Sequence, residues 1–271
     1  MPRLTLFIKG NLDVHDTLHS FRVGGTVRWN GINEIVRDRF PGTLVRMRHE
    51  TFSRSDALLA ARGKVPADLA ARKLALDTYS TASQFSCEIF GTDADAIVLS
   101  IQPDIMTNLV RHRSEDYLLN PYNWQAWPAD DKRWLSENFI NSPLLDVGTS
   151  MANLEQVIAR LRAHSATPIL VYNLSSVVPG DNAHCHLGLE TSLATRIRRF
   201  NLGLIDLSQR TGISVIDVDA IVARAGAERM KLDAMHLTAE GCRLVAEDVV
   251  RVLDELGCFA DAPPGTVKSR N

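Results

Sequence analysis

The segment Asp233-Ala-Met-His236 places a carboxylate and an imidazole three residues apart. Directly after it, residues 238–256 carry apolar side chains at helical spacing, and Thr238 is suited to cap that helix. An Asp that holds a His, with the His free to take a proton, supplies two members of a nucleophilic triad. The sequence therefore predicts Asp233 as the orienting acid and His236 as a general base, and the nucleophile must come from elsewhere.

A second polar segment, residues 11–19, follows the first apolar run of the chain. Its titratable side chains are Asp13, His15, Asp16 and His19. His15 and His19 are spaced i, i+4 and share one face if the segment is helical. A later loop adds His184 and His186. Together with Asp233 and His236 these groups are candidates for acid–base chemistry or for holding a divalent metal ion.

Five short apolar runs, each stopped by polar or turn-forming residues, predict the strands that position these groups. The runs are residues 4–8, 42–47, 96–101, 167–172 and 212–217. Helical patterns lie between them at 29–40, from Pro66 to Phe85, at 150–164 and at 191–211. This alternation predicts an α/β fold with a doubly wound, mainly five-stranded parallel sheet and helices on both faces.

In such a sheet ligands bind beyond the carboxyl ends of the strands. The histidines that follow a predicted strand are His15, His19, His49, His112, His184, His186 and His236. We expect one domain at residues 1–260 and a flexible tail at 261–271. An aromatic-rich insertion at about 106–147 holds Trp124, Trp127 and Trp134. It is either a satellite core or a lid over the substrate.

Composition excludes several classes of function. The formal net charge is −2 and aromatics make up 6% of the chain, so neither nucleic acid nor an anionic membrane is an expected partner. The first apolar run is too short for a signal peptide or a membrane span, which predicts a cytoplasmic protein. The cysteines form no C-x-x-C pair. We expect no cofactor, and the oligomeric state is not specified by these patterns.

The chain resembles the SGNH, or GDSL-type, hydrolases over nearly its whole length. The strongest part runs from Phe200-Asn201 through residues 212–218 to Asp233-Ala-Met-His236-Leu-Thr-Ala-Glu-Gly241. The last block of that family is D-x-x-H before the final helix, and Asp233 and His236 match it. The resemblance implies a three-layer fold and acyl transfer or hydrolysis of a small-molecule or carbohydrate ester.

The other family blocks are altered in this chain. Where the family has G-D-S-L after the first strand, Gly10-Asn11-Leu12-Asp13 puts Leu12 at the position of the nucleophilic serine. Five residues on, His15-Asp16-Thr17-Leu18 resembles the same block with threonine for serine. Thr17 is therefore the predicted nucleophile, with Ser20 as a further candidate.

The oxyanion donors implied by the resemblance are altered as well. Backbone N–H groups at Gly10 and Asn11 remain available, and Ser53 or Arg54 stands where the second block has glycine. In the third block Gln102 replaces the asparagine of G-x-N-D.

Three hypotheses follow. The first is an SGNH-like hydrolase or acyltransferase that lacks the usual serine. The second is an enzyme that keeps the scaffold but performs other, His- and Asp-dependent chemistry, with or without a metal ion. The third is a non-catalytic descendant that binds carbohydrates or acyl groups.

Overall fold

The computed structural model describes residues 3–177 and 191–260. In chain order its strands are β1 (Arg3–Lys9), β2 (Phe21–Val23), β3 (Thr26–Trp29), β4 (Leu44–Glu50), β5 (Ala96–Ser100), β6 (Leu109–His112), β7 (Leu118–Leu119), β8 (Phe139–Ser142), β9 (Ile169–Tyr172) and β10 (Ser214–Ile216). The α-helices are α1 (Leu12–Leu18), α2 (Ile32–Arg39), α3 (Ser55–Ala60), α4 (Ala67–Ala70), α5 (Thr81–Phe85), α6 (Gln102–Met106), α7 (Ala129–Asn138), α8 (Val147–Arg162), α9 (Leu193–Thr211), α10 (Val218–Ala225), α11 (Ala227–Met230) and α12 (Ala239–Glu255). None of these described helices is both long and apolar enough to cross a membrane.

The chain divides into two compact units. The first comprises residues 1–49, 93–101 and 167–271 as far as they are described, and the second comprises residues 50–92 and 102–166. Compactness alone does not make either unit an independently folding domain. The single domain predicted for residues 1–260 therefore stays a prediction, and the predicted tail at 261–271 lies outside the described residues.

The first unit is built on a five-stranded parallel sheet with the order β10-β9-β5-β1-β4. Central strand β5 pairs in parallel with β1 and β9, and β10 pairs in parallel with β9. Every residue of β5 is buried, as the continuous apolar run predicts for a strand covered on both faces. The predicted α/β fold is confirmed. Loops that follow parallel strands share one edge of the sheet, which is where such folds place their sites.

Helix α12 holds the segment that precedes it, which carries Asp233 and His236, against the first unit. Its apolar face, from Cys242 to Leu253, is buried in the main core of the first unit. Thr238 caps the helix, since its Oγ1 accepts the N–H of Gly241 at 3.2 Å. A Cβ on Gly241 would lie 2.6 Å from the carbonyl oxygen of Met230, so glycine permits the close approach of the helix to the preceding segment. The start of α12 is thus anchored by both a cap and a tight backbone contact.

The second unit differs from the prediction between Pro66 and Phe85. The long helix predicted there is wrong, because only α4 and α5 are helical. Asp77 between them has φ 50°, a left-handed conformation that interrupts an α-helix. The Ser80 side chain then caps α5 by accepting the N–H of Ser83 at 3.2 Å. The apolar residues of this stretch pack as a compact cluster instead of along one helix face.

The aromatic insertion belongs to that cluster. Its strands β7, β6 and β8 form an antiparallel sheet, with β6 in the centre. Trp127 and Trp134 are buried with Leu69 and Phe85 in one apolar core, whereas Trp124 is 42% exposed. Of the two interpretations of the insertion, the structure therefore favours the satellite core.

Candidate active site

Asp233 and His236 lie in the loop between α11 and α12, within the first unit. Lys231 and Leu237 form an isolated antiparallel bridge at the base of this loop. The N–H of Leu232 donates to the carbonyl of His236 at 2.9 Å. The chain therefore folds back on itself as a narrow turn that carries the carboxylate and the imidazole at its tip.

The contacts of Asp233 determine the state of the imidazole. Its Oδ2 lies 2.8 Å and its Oδ1 3.0 Å from Nδ1 of His236. Although partial burial opposes it, the backbone N–H groups of His236 and Met235 and the His236 ring hold the pKa of Asp233 at about 2. An ionised carboxylate only accepts hydrogen bonds, so Nδ1 carries the ring proton and Nε2 the lone pair. This is the tautomer that a general base needs.

His236 lines a pocket in the first unit, at the edge where the parallel strands end. The described residues that line this pocket are Leu12, Asp13, Asp16, Tyr172, Asn173, Leu174, Ser175, Val218, Lys231, Met235, His236, Leu237 and Cys242. The Oγ atom of Ser175 is buried and has no hydrogen-bond partner among the described residues. An unpaired buried hydroxyl is a position where a bound molecule can add a hydrogen bond. The pocket is therefore a candidate binding site that includes the imidazole of His236.

Leu12 occupies the position that the resemblance aligns with the family serine. It is the first residue of α1, its side chain is 54% exposed, and it lines the same pocket as His236. Leu12 therefore lies at the same pocket as the imidazole, but its side chain has no hydroxyl. This wall of the pocket supplies no nucleophile at that position.

Thr17, the predicted nucleophile, lies in the last turn of α1 and is 1% exposed. Its hydroxyl donates to the carbonyl of Val14 at 2.9 Å and lies 3.1 Å from the hydroxyl of Tyr172. Neither Thr17 nor Ser20 is among the described residues that line the pocket. The geometry favours a structural role for Thr17, because its hydroxyl is directed into the core and is used there.

Asp13 and Asp16 do line the pocket, as the crowding of polar groups in this segment predicts. The hydroxyl of Ser100 donates to Oδ2 of Asp13. Burial raises the pKa of Asp13, although the bond from Ser100 opposes the rise. An acid with a raised pKa and a base with a free lone pair therefore line one pocket, the pattern by which enzymes separate acid and base roles.

His15, His19 and His49 form a stack beside α1. The ring centroids of His15 and His19 lie 4.6 Å apart, and those of His19 and His49 lie 5.1 Å apart. Nε2 of His49 is 3.0 Å from the carbonyl of Gly10, which only accepts, so that nitrogen carries the proton. Nδ1 of His49 must then accept from Nε2 of His19, 3.1 Å away. Burial, followed by electrostatic interactions with the neighbouring rings of His49 and His15, lowers the pKa of His19 to about 4.

His15 and His19 share one helix face, as their spacing predicts. Their ring stack does not belong to the described lining of the pocket, although Asp16 links the two features: its Oδ1 lies 3.1 Å from Nδ1 of His15. The described rim histidines of the first unit therefore lie in two places, three of them around His49 and the fourth at His236, whereas His112 belongs to the second unit. His184 and His186 lie outside the described residues.

The predicted oxyanion donors divide between the two units. Gly10 and Asn11 connect β1 to α1 in the first unit, and the N–H of Asn11 is directed at Oδ1 of Asp13, 3.3 Å away. A Cβ on Gly10 would lie 2.7 Å from Val14, which explains the glycine by packing. Neither Gly10 nor Asn11 belongs to the described lining of the pocket.

The remaining donors lie in the second unit. Arg54 is 1% exposed and pairs with Asp56 through Nε at 2.9 Å and Nη2 at 2.8 Å. Its other N–H groups donate to Ser142 Oγ and to the carbonyls of Thr107, Ser142 and Pro143. All the N–H donors of Arg54 are engaged inside this unit. Its ion pair with Asp56 is therefore structural, and no donor is left for an oxyanion. Ser53 and Gln102 are buried in the same unit.

Among the described residues, the group with metal-ligand spacing is Asp68, His112 and Glu115 in the second unit. Nδ1 of His112 accepts the backbone N–H of Glu115 at 3.1 Å, so in the neutral ring Nε2 carries the proton and has no lone pair for a metal ion. Asp68 accepts the hydroxyl of Tyr117 at 3.0 Å. With this hydrogen bonding, the neutral His112 ring offers the group no nitrogen ligand.

The functional residues that were not predicted include Ser100, Tyr172, Ser175 and Lys231. Ser100 and Tyr172 end β5 and β9, so the rule that sites lie beyond strand ends was a sufficient signal for them. Lys231 lies two residues before Asp233, and its position next to the motif was the signal.

Comparison with known proteins supports the fold. No family model matches the chain, and no curated protein sequence matches it. Among solved structures, a protein of the lipolytic G-D-S-L family from Veillonella parvula superposes with a TM-score of 0.51 at 12% identity, covering 93% of this chain and 98% of that one. The chain has the fold of a G-D-S-L hydrolase.

Two further solved structures have a similar fold. An α/β hydrolase from a metagenome of Lake Arreo, Spain, has a TM-score of 0.50 at 15% identity, with 94% of this chain and 96% of that chain covered. An acetylxylan esterase from Geobacillus stearothermophilus has a TM-score of 0.50 at 11% identity, with 92% and 93% covered. All three structures share the fold of this chain.

Proposed function

We propose that this protein is an ester hydrolase in which His236 removes a proton from a water molecule as that water attacks the ester carbonyl. The observation that carries the proposal is the hydrogen bond from Nδ1 of His236 to Asp233, which leaves the lone pair on Nε2. Because Leu12 stands at the serine position, the attacking hydroxyl comes from solvent. An alcohol in place of that water would give acyl transfer by the same proton removal.

Asp13 is the proposed general acid. Its raised pKa favours the protonated carboxyl, which is able to donate a hydrogen. In the reaction the water oxygen bonds to the carbonyl carbon while Nε2 of His236 takes its proton. The bond to the leaving oxygen then breaks, and that oxygen receives the proton of Asp13. The products are a carboxylic acid and an alcohol.

The substrate we propose is a neutral small-molecule or carbohydrate ester. Asp16 and Asp233 place carboxylates at or beside the pocket, and Lys231 directs its ammonium group at backbone carbonyls. An anionic substrate would therefore meet repulsion. The structural likeness to an acetylxylan esterase makes acetylated sugars a sensible part of the test panel.

The test is hydrolysis of p-nitrophenyl acetate and acetylated xylo-oligosaccharides by the wild type and by His236→Asn, Asp233→Asn and Asp13→Asn. We expect kcat/KM to fall by about 10²-fold or more for His236→Asn, since general base catalysis contributes about that much. His164→Asn is the matched control, because His164 is exposed at the end of α8. Wild-type activity in His236→Asn would refute the assignment. Ligand-induced thermal shifts without turnover would instead indicate a binding protein.

A further inference from the structure

Lys231 is a buried cation beside the catalytic loop. Its side chain is 6% exposed, although a lysine is normally solvated. Its Nζ lies 2.5 Å from the carbonyl oxygen of Val177, 3.2 Å from that of Ala234 and 3.4 Å from that of Ser175. An ammonium group has three N–H donors and no acceptor. Each donor of Lys231 therefore has one backbone carbonyl to bind.

These carbonyls come from two different segments of the first unit. Ser175 and Val177 follow β9, and Ser175 lines the pocket. Ala234 lies between Asp233 and His236, at the tip of the turn. The ammonium group thus joins the segment after β9 to the turn that carries the dyad.

The turn is largely exposed to solvent, so contacts outside the turn are needed to hold it in place. Leu232 at its side is 69% exposed, and the side chains of Asp233 and His236 are 56% and 38% exposed. The hydrogen bonds of Asp233 to Met235 and His236 shape the turn but remain within it. They do not fix the turn against the sheet, whereas the bonds from Lys231 reach outside it.

We propose that Lys231 is a positioning residue for the Asp233–His236 pair, because it fixes their turn against the segment after β9 and so holds the imidazole at the pocket. The inference rests on the proposed hydrolysis only for its kinetic consequence. Its structural part is independent of any activity.

The positioning by Lys231 should depend on pH, because it requires the protonated ammonium group. Burial lowers the pKa of Lys231 to about 8, although the carboxylates of Asp219 on α10 and Asp233 oppose the shift. The other titratable groups that line the pocket beside it are Asp13, Asp16, Tyr172, His236 and Cys242. A neutral amine has two N–H donors and a lone pair, so deprotonation removes one bond and turns the lone pair toward a carbonyl. The turn should loosen as pH rises through about 8.

The experiment compares wild type, Lys231→Met, Lys231→Arg and Lys64→Met, the last a matched change at an exposed lysine. For Lys231→Met we expect kcat/KM for p-nitrophenyl acetate to fall on the order of 10²-fold at neutral pH, with a smaller change in KM, because misplaced catalytic groups cost about this much. The wild type should lose activity above about pH 8, and Lys231→Arg should not show this alkaline limb, since guanidinium stays charged.

A second readout does not depend on catalysis. Amide hydrogen exchange at Met235 and His236, corrected for intrinsic rates, should be roughly tenfold faster in Lys231→Met and unchanged in Lys64→Met. If the wild type hydrolyses no ester, the proposed function fails and the exchange data alone decide the role of Lys231. Unchanged exchange in Lys231→Met, or an alkaline limb that persists in Lys231→Arg, would overturn the inference.

Discussion

The hydroxyl oxygens of Thr17 and Tyr172 lie 3.1 Å apart in the core of the first unit, where α1 packs over the end of β9. Burial raises the pKa of Tyr172 above its usual value, although the bond to Thr17 opposes this. Both side chains are almost fully buried. A hydroxyl that could have served as a nucleophile therefore satisfies a buried phenol instead.

Thr17→Val should destabilise the protein and leave its activity intact. The change keeps the shape of the side chain but leaves the Tyr172 hydroxyl without this partner, which costs about 1–3 kcal/mol of unfolding free energy. Urea denaturation together with kcat/KM measures both effects. The double variant Thr17→Val, Tyr172→Phe should lose less unfolding free energy than the two single variants together. In the double variant neither buried hydroxyl is left unpaired. Loss of turnover at unchanged stability would restore Thr17 as the nucleophile.

Leu12→Ser should create a reactive serine. Leu12 and His236 line one pocket, so a hydroxyl at residue 12 enters the region that the imidazole serves. We expect covalent labelling at residue 12 by a fluorophosphonate and a burst of p-nitrophenol before steady state, neither of which the wild type shows at this position. The change in stability should stay within about 0.5 kcal/mol, since the side chain is exposed. Leu202→Ser, at an exposed leucine of α9, is the control.

If Leu12→Ser is not labelled although the protein is folded, residue 12 does not bring a hydroxyl within reach of His236. The proposed correspondence between Leu12 and the family serine would then be wrong.

Asp104 should make the second unit less stable as pH rises. Burial raises its pKa to about 6, while the hydroxyls of Ser150 and Ser55 and the backbone N–H of Ser55 partly oppose this. Between about pH 4 and pH 6 the native carboxyl holds a proton that the unfolded one has lost, so the free energy of unfolding falls across this window and is level above it.

Ser150→Ala tests this dependence. The hydroxyl of Ser150 donates to Oδ2 of Asp104 at 2.5 Å, and a bond to a charged acceptor is worth about 1.5–3 kcal/mol, more than a neutral one. The variant should therefore lose more stability at pH 7 than at pH 4, as measured by denaturant unfolding at both values. Ser136→Ala, at an exposed serine of α7, should show no such difference. An equal loss at both pH values would contradict the prediction.

His19 should act in the opposite sense. Its native pKa of about 4 lies below the ordinary value of 6.5, so the unfolded chain takes up a proton at this residue before the native one does. Its contribution to stability is complete above pH 6.5 and is lost as pH falls toward 4. Replacing it by His19→Asn should flatten the acid side of the stability curve relative to wild type, and His164→Asn should not. An acid limb that is unchanged in His19→Asn would show that other groups cause it.

The parts of the site that sequence could predict are those made by local contacts. Asp233 accepts hydrogen bonds from Met235 and His236, and Thr238 caps α12 through Gly241. The contacts that fix the geometry of each motif therefore lie within the motif itself. Strands such as β5 were equally predictable, because full burial leaves a continuous apolar run. Thr17 was assigned a role that its long-range contact with Tyr172 does not support. The ties from Lys231 to Ser175 and Val177 likewise join residues far apart in sequence, and no local pattern indicates such pairs.

The turn at Asp233 contains the contacts that fix its own shape. Its base is a single backbone bridge, and the carboxylate, the two amides it accepts and the imidazole it holds all lie between residues 233 and 236. A unit of this kind survives changes elsewhere around the pocket. The residue at the start of α1 can therefore be exchanged, and with it the proposed reaction mechanism, while the proposed proton acceptor keeps its geometry.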